Sequence, residues 1–143
     1  MSAEIEKRLQ QFFDGYATAS LVGDAETVGA SYFKTHIQSA PSSVEAFTVD
    51  AAYREAVARK AEAMKKIGLI ASEVVIASAK PIAPKHYLVA AQWRLRFAAK
   101  GKSVAEAVFE ISYVIRVVEK DVHILLTISH EDEAQALAAL GLA

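Results

Sequence analysis

The chain has 143 residues, 53% of them hydrophobic and 8% aromatic, with 16 Lys and Arg against 17 Asp and Glu and a formal net charge of −1. At that length a single domain over residues 1–143 is expected, burying about two-thirds of the unfolded surface. Interspersed charge excludes the basic stripe that nucleic acid or an anionic bilayer requires, no apolar run approaches the roughly 20 residues of a membrane helix, and the lack of cysteine excludes disulfides, thiolate nucleophiles and cysteine-ligated zinc.

The opening Met1-Ser2-Ala3-Glu4-Ile5-Glu6 is acidic where a signal peptide is basic and then apolar, so a cytoplasmic location is expected. Ile5, Leu9, Phe12, Phe13, Tyr16 and Ser20 recur at three- and four-residue spacing and predict an amphipathic first helix. Gly23 and Asp24 read as a helix stop followed by an N-cap, opening a short second helix with Val28, Tyr32 and Phe33 on its inner face. Thr35 to Ser39 and Val44 to Thr48 flank Ala40-Pro41-Ser42-Ser43, which predicts a small hairpin. From the cap candidate Asp50, the residues Tyr53, Val57, Met64 and Ile67 keep helical period as far as Gly68. Ala71 to Ala79 then predicts a strand ended by a loop at Pro81 and Pro84. Three long alternating segments follow: His86 to Ala99, Ala105 to Val118 and Val122 to His130. Ser129 with Asp132 gives an S-x-x-D cap ahead of a short Ala- and Leu-rich C-terminal helix.

The long segments carry the architecture. Tyr87, Val89, Ala91, Trp93, Leu95 and Phe97 alternate with Leu88, Ala90, Gln92, Arg94 and Arg96, and Phe109, Ile111, Tyr113, Ile115 and Val117 alternate with Glu110, Ser112, Val114 and Arg116. Period-2 segregation places the first of each set on a core and leaves the second on an outer face. An α+β cone is expected, with three N-terminal helices wrapped by a strongly curved antiparallel sheet. Arg94, Arg96 and Arg116 would pair with Glu110 across the outer strands. That outer face mixes Leu88, Ala90, Val114, Leu125 and Thr127 with these polar residues, so a homodimer formed through it is expected.

No assembled catalytic motif is visible. His36, His86, His123 and His130 show no H-x-x-H or H-x-x-x-H spacing, no G-x-S-x-G turn occurs, and six scattered glycines make no phosphate loop. Neither a metal nor a cofactor is expected. Tyr16 on the apolar face of the first helix and Tyr113 and Trp93 on the inner sheet face are inward aromatics. His130, at the end of the last strand beside Glu131, Asp132 and Glu133, is the one candidate able to titrate near neutrality.

Over Tyr16 to Pro41, the Gly23-Asp24 break, Tyr32 and Pro41 fall at the spacing of the ketosteroid isomerases. The chain thereby resembles the nuclear transport factor two-like superfamily, which includes SnoaL-like proteins, isomerases, dehydratases, cyclases and many members of unassigned activity. The resemblance spans nearly the whole chain and implies the cystatin-like form of the cone. It further implies that Tyr16 matches the oxyanion-binding tyrosine, Tyr32 its supporting tyrosine, Tyr53 a third hydroxyl, Tyr113 the second oxyanion donor, and Trp93 and His130 aromatic walls. The general base falls at Ala40, and alanine cannot abstract a proton. The resemblance therefore implies a small-molecule pocket of Tyr16, Tyr32, Tyr53, Trp93, Tyr113 and His130 that takes an apolar ligand, without the isomerase reaction. Two alternatives stand beside it: a non-catalytic dimerising module whose cone is filled, and a SnoaL-like enzyme using His130 as base. An open cavity of about 300 Å³ or more, with polar groups converging on it, separates binding from filling.

Overall fold

In a computed structural model, which describes residues 2–142, four helices pack against one six-stranded sheet. Helix α1 spans Ala3–Val22; the Ser2 hydroxyl caps it by accepting the Ile5 N–H at 3.2 Å, and Gly23 ends it in the left-handed region at φ 75°. The Asp24 carboxylate caps α2, Ala25–Ala30, by accepting from Thr27. Both ends fall where the capping residues predict.

Strand β1 spans Tyr32–Ala40 and starts immediately after the helix, so Tyr32 and Phe33 belong to the strand rather than to α2. Tyr32 and His36 are buried and Phe33 is exposed. A four-residue spacing suits one face of a helix and one face of a strand alike, so Val28 and Tyr32 cannot distinguish the two. The β-prone run Tyr-Phe-Lys-Thr-His-Ile decides it. Strand β2, Ser43–Thr48, completes the hairpin, and α3, Ala51–Lys66, starts under an Asp50 cap.

Gly68, at φ 100°, turns the chain from α3 into β3, Leu69–Ala83. A Cβ there would lie 2.8 Å from the Ala99 backbone nitrogen, so the position requires glycine twice over. Strand β3 runs through Pro81 instead of ending before it, because β3 is the last strand in the order β2-β1-β6-β5-β4-β3 and an edge tolerates a residue without an N–H. Gln10 of α1 ties this strand just ahead of its bulge at Ala77 by donating to the Val74 carbonyl at 3.0 Å and accepting from the Ile76 N–H at 3.3 Å.

Strands β4 (His86–Phe97), β5 (Ala105–Val118) and β6 (Asp121–Ser129) pair antiparallel in succession. The sheet is nevertheless mixed. Strand β1 joins β6 in parallel, since the hairpin docks by its first strand onto the free edge of β6, a choice that no alternation pattern encodes. The expected inner face holds: Val89, Ala91, Trp93, Leu95 and Phe97 are buried with Phe109, Tyr113 and Ile115, while Arg94 and Arg96 are exposed. Together with Leu9 and Phe13 of α1 they form the core, each large side chain contributing at most about 1.5–3 kcal/mol. Ion pairing on the outer face differs in detail. Arg94 pairs with Glu106 at 3.3 Å, whereas Glu110 faces His130.

One irregularity changes the chemistry of the wall. Ile124 pairs with Ile115 and Leu126 with Val114, so Leu125 is an extra residue that reverses the facing of everything after it. Thr127, expected outside with Leu125, turns inward opposite Tyr113, and Leu126 and Ile128 turn outward. Helix α4, Glu133–Ala139, closes the chain with Leu137 buried. Its N-cap residue Asp132 makes no capping bond with its side chain. Both carboxylate oxygens instead accept from Ser42 in the β1–β2 turn, so the S-x-x-D pattern marks a tertiary tie.

Candidate ligand cavity

Between α3, the concave face of the sheet and the start of α4 lies a cavity of about 620 Å³. The sheet, α1 and α3 supply large side chains, among them Trp93, Tyr16, Tyr53 and Met64, and the alanines Ala46 of β2 and Ala52, Ala56 and Ala61 of α3 leave room between them. Alanine at helical positions reads simply as helix propensity, so the sequence alone suggests a fuller interior. Its exposed lining residues, among them Thr48, Asp50, Ala56, Lys60 and Glu131, mark the mouth. Across it the Lys60 ammonium meets the Glu133 carboxylate at 3.1 Å. Desolvation acts to lower the Lys60 pKa, but the charge and hydrogen bond of Glu133 prevail and hold it above the ordinary lysine value.

Five of the six expected pocket residues line this cavity: Tyr16, Tyr32, Tyr53, Trp93 and Tyr113. Tyr16 projects from the middle of α1 and its hydroxyl bonds that of Tyr32 on β1. The edge of Tyr16 also meets Trp93, ring centroids 5.6 Å apart. Burial raises the Tyr16 phenol above its ordinary pKa, against the Tyr32 hydrogen bond and the charge of Lys60, which pull it down. Burial raises Tyr32 further, and its bond to Tyr16 adds to the rise; either hydroxyl of the pair can donate to the other. With Tyr32 donating, Tyr16 has its own hydrogen free for a ligand.

Trp93 and Tyr113 form a second pair, in which the indole Nε1–H donates to the Tyr113 hydroxyl at 2.9 Å. Because that oxygen accepts, its hydrogen also remains to donate. Burial holds Tyr113 well above the ordinary phenol value, and Tyr53 is raised for the same reason. All four phenols are neutral at physiological pH; Tyr113 offers an O–H to the interior, and so does Tyr16 when Tyr32 donates to it.

Behind Tyr32 lies His36, stacked between Tyr32 at 4.3 Å and Phe47 at 5.7 Å and met edge-on by Tyr53. Its Nδ1 lies 3.1 Å from the Phe33 carbonyl, which fixes that nitrogen as the donor and leaves Nε2 to accept from Gln38 at 3.2 Å. Burial pushes its pKa down, so this imidazole is a neutral structural member.

His130, the sixth expected residue, is not in the cavity wall. Its Nε2 lies 2.9 Å from the Ser112 hydroxyl and its Nδ1 3.6 Å from the Glu110 carboxylate, both on the outer face of β5. The reversal at Leu125 accounts for this, since it points Ser129 inward and the next residue outward. Ala40, at the end of β1, also lies outside the lining. Sequence reasoning missed Thr127, Ser129, Gln38 and Lys60, all of which line the cavity. Only the pairing of β5 with β6 reveals the first two. Among the described residues no cluster of three metal-ligating side chains forms, and no helix is long and apolar enough to cross a membrane.

No protein-family model and no curated protein sequence matches the chain. Solved structures do. The protein Aln2 from a Streptomyces species superposes with a TM-score of 0.72 at 10% identity, covering 96% of this chain and 98% of that one. An NTF-2 like protein of unknown function from Shewanella oneidensis gives 0.66 at 13% identity, with 87% and 98% covered. A ketosteroid isomerase-like protein from Erwinia carotovora gives 0.62 at 13% identity, with 90% and 97% covered. Identities this low carry the fold and leave the chemistry to the residues. On that ground the chain has the α+β, cystatin-like fold of the nuclear transport factor two-like proteins.

Proposed function

We propose that the protein binds a small apolar ligand bearing a carbonyl or hydroxyl group in the cone, with Tyr16 and Tyr113 donating to its oxygen. The observation that carries this reading is a cavity of about 620 Å³ whose aromatic wall holds two phenols, each supported by a second aromatic hydrogen bond. The supporting bonds orient the phenols before a ligand arrives, which reduces the ordering cost of binding. The volume is about twice the 300 Å³ that marks the lower end of ligand pockets, which favours an open cone over a filled one. The reading is of binding rather than proton abstraction, because Ala40 stands at the position matched to the isomerase base and His130 faces away from the cavity.

Trp93, the only tryptophan of the chain, lines the cavity and reports its occupancy. Titration with 2-naphthol is expected to change its fluorescence, and Tyr16→Phe to weaken that binding about five- to tenfold, the loss of one net hydrogen bond. Native mass spectrometry of the purified protein gives a second readout, an adduct that co-purifies. Failure of every apolar alcohol, phenol and ketone in a screen to bind, with no adduct, would refute the reading.

We also propose that a second copy covers the outer sheet face. Ile37, Leu126, Val114 and Leu88 lie in register across β1, β6, β5 and β4, and Ile128 beside them is 41% exposed. The Leu125 bulge adds to this row by sending Leu126 and Ile128 outward in place of Thr127. An apolar row across four strands suits a two-fold interface that matches like with like.

A further inference from the structure

We infer that Gln38 presents its side-chain carbonyl to the cavity, held in that orientation by His36, so that the ligand carries a hydrogen-bond donor and belongs to the alcohols or phenols rather than to the simple ketones or ethers. This rests on the binding reading above and specifies the ligand class of the same site. Gln38 lies opposite Thr127, which lies opposite Tyr113, so the three share the inner face of the sheet, and Gln38 lines the cavity. The residue is half-buried, and its amide nitrogen is engaged with His36 while its Oε1 accepts from none of the described residues. Unlike the Thr127 hydroxyl, which is sealed off without a partner, that oxygen remains accessible.

The histidine decides which end of the amide is free. A glutamine amide can turn over, offering an acceptor in one state and two donors in the other. The Phe33 carbonyl takes the hydrogen of His36 Nδ1 at 3.1 Å, so Nε2 of the neutral ring carries a lone pair. Only the amide N–H can donate to that nitrogen, 3.2 Å away, and a turned amide would set two acceptors against each other. His36 is itself fixed, buried and stacked between Tyr32 and Phe47. Burial also lowers its pKa, which keeps the ring neutral.

One aromatic cavity thus holds groups of both kinds, phenols that donate and an amide oxygen that accepts. A hydroxyl can accept from a phenol and donate to Gln38. A ketone or ether does only the first, and it leaves the amide oxygen unpaired once the ligand has displaced water from it. A site with such an acceptor rejects the analogue that lacks the hydrogen.

The test is calorimetric titration with pairs of one carbon skeleton, with and without the donor: 1-tetralol with 1-tetralone, and 6- and 7-hydroxy-1-tetralone with their methyl ethers. In the best pair the hydroxyl compound is expected to bind the wild type about five- to tenfold more tightly than its partner, one net hydrogen bond. Gln38→Met, similar in length and without the amide, should bring that ratio to about one. His36→Phe, which keeps the aromatic stack and removes Nε2, frees the amide to turn and should lower the ratio by tightening the partner that lacks the donor. Tyr16→Phe should weaken both members of each pair together. Circular dichroism establishes that each variant folds, and His36→Phe decides the matter should methionine disturb the strand. A ratio of one in every wild-type pair, or one that survives Gln38→Met or His36→Phe, overturns this inference, while binding of 2-naphthol leaves the pocket standing. If neither 2-naphthol nor any of these compounds binds, both readings fall.

Discussion

Removing the Tyr113 hydroxyl should cost more than one ordinary hydrogen bond. Trp93 is 7% exposed and Tyr113 2%, so in Tyr113→Phe the indole N–H keeps its burial and loses its acceptor. Orphaning a buried donor costs about 1–3 kcal/mol, against roughly 1 kcal/mol for a bond whose partners both return to water. For a chain of this length that is a fall in Tm of roughly 3–10 °C. Trp93→Phe removes the donor itself and costs about 1–3 kcal/mol through lost packing. In that background Tyr113→Phe orphans nothing and should cost less than about 0.5 kcal/mol. A double-mutant cycle by urea denaturation should return a coupling of about 1–2 kcal/mol between the two positions. Equal costs of Tyr113→Phe in both backgrounds would show that water from the cavity already satisfies the indole, and the argument for an oriented Tyr113 donor would fail.

His36 supplies a pH signature: burial holds its folded pKa below the unfolded value near 6.5, so the unfolded state binds the proton more readily. The neutral ring's contribution to stability is therefore fully present above about pH 6.5 and is lost as pH falls through the folded pKa. His36→Phe, which keeps an aromatic between Tyr32 and Phe47, should flatten the stability curve on the acid side, measured by thermal melts from neutrality downward; an unchanged slope would place the titration elsewhere. For the outer face, light scattering at tens of micromolar is expected to give twice the chain mass, and Leu126→Glu to halve it. A monomeric wild type would remove the dimer.

The strands were legible because their alternation is long and unbroken: every inward residue of β4 from Val89 to Phe97 is where period 2 puts it. The helices were legible from their caps at Asp24 and Asp50. Where reading failed, the deciding interaction was remote in sequence. Pro81 stays in β3 because nothing pairs beyond it, Asp132 leaves its own helix for Ser42, and Leu125 bulges against Val114 and Ile115. The site divides the same way. Tyr16 and Trp93 sit on regular elements and could be aimed from the sequence, while Thr127 and His130 follow the bulge and were aimed to the wrong sides.

Strand β6 behaves like a reading frame. Its downstream residues spell two alternative surfaces, Leu126 with Ile128 and Thr127 with Ser129, and whether Leu125 bulges out of the ladder or pairs opposite Val114 decides which one faces the interior. A ladder with Leu125 paired opposite Val114 would exchange the hydroxyls for aliphatic groups without any substitution at the wall and would take Leu126 and Ile128 off the outer face, whereas deleting Leu125 would keep Leu126 opposite Val114 and Thr127 opposite Tyr113. In a cone of this kind, the polarity of the cavity wall and that of the outer surface are thus tied to the register of one strand, so both change together when a bulge forms or is lost.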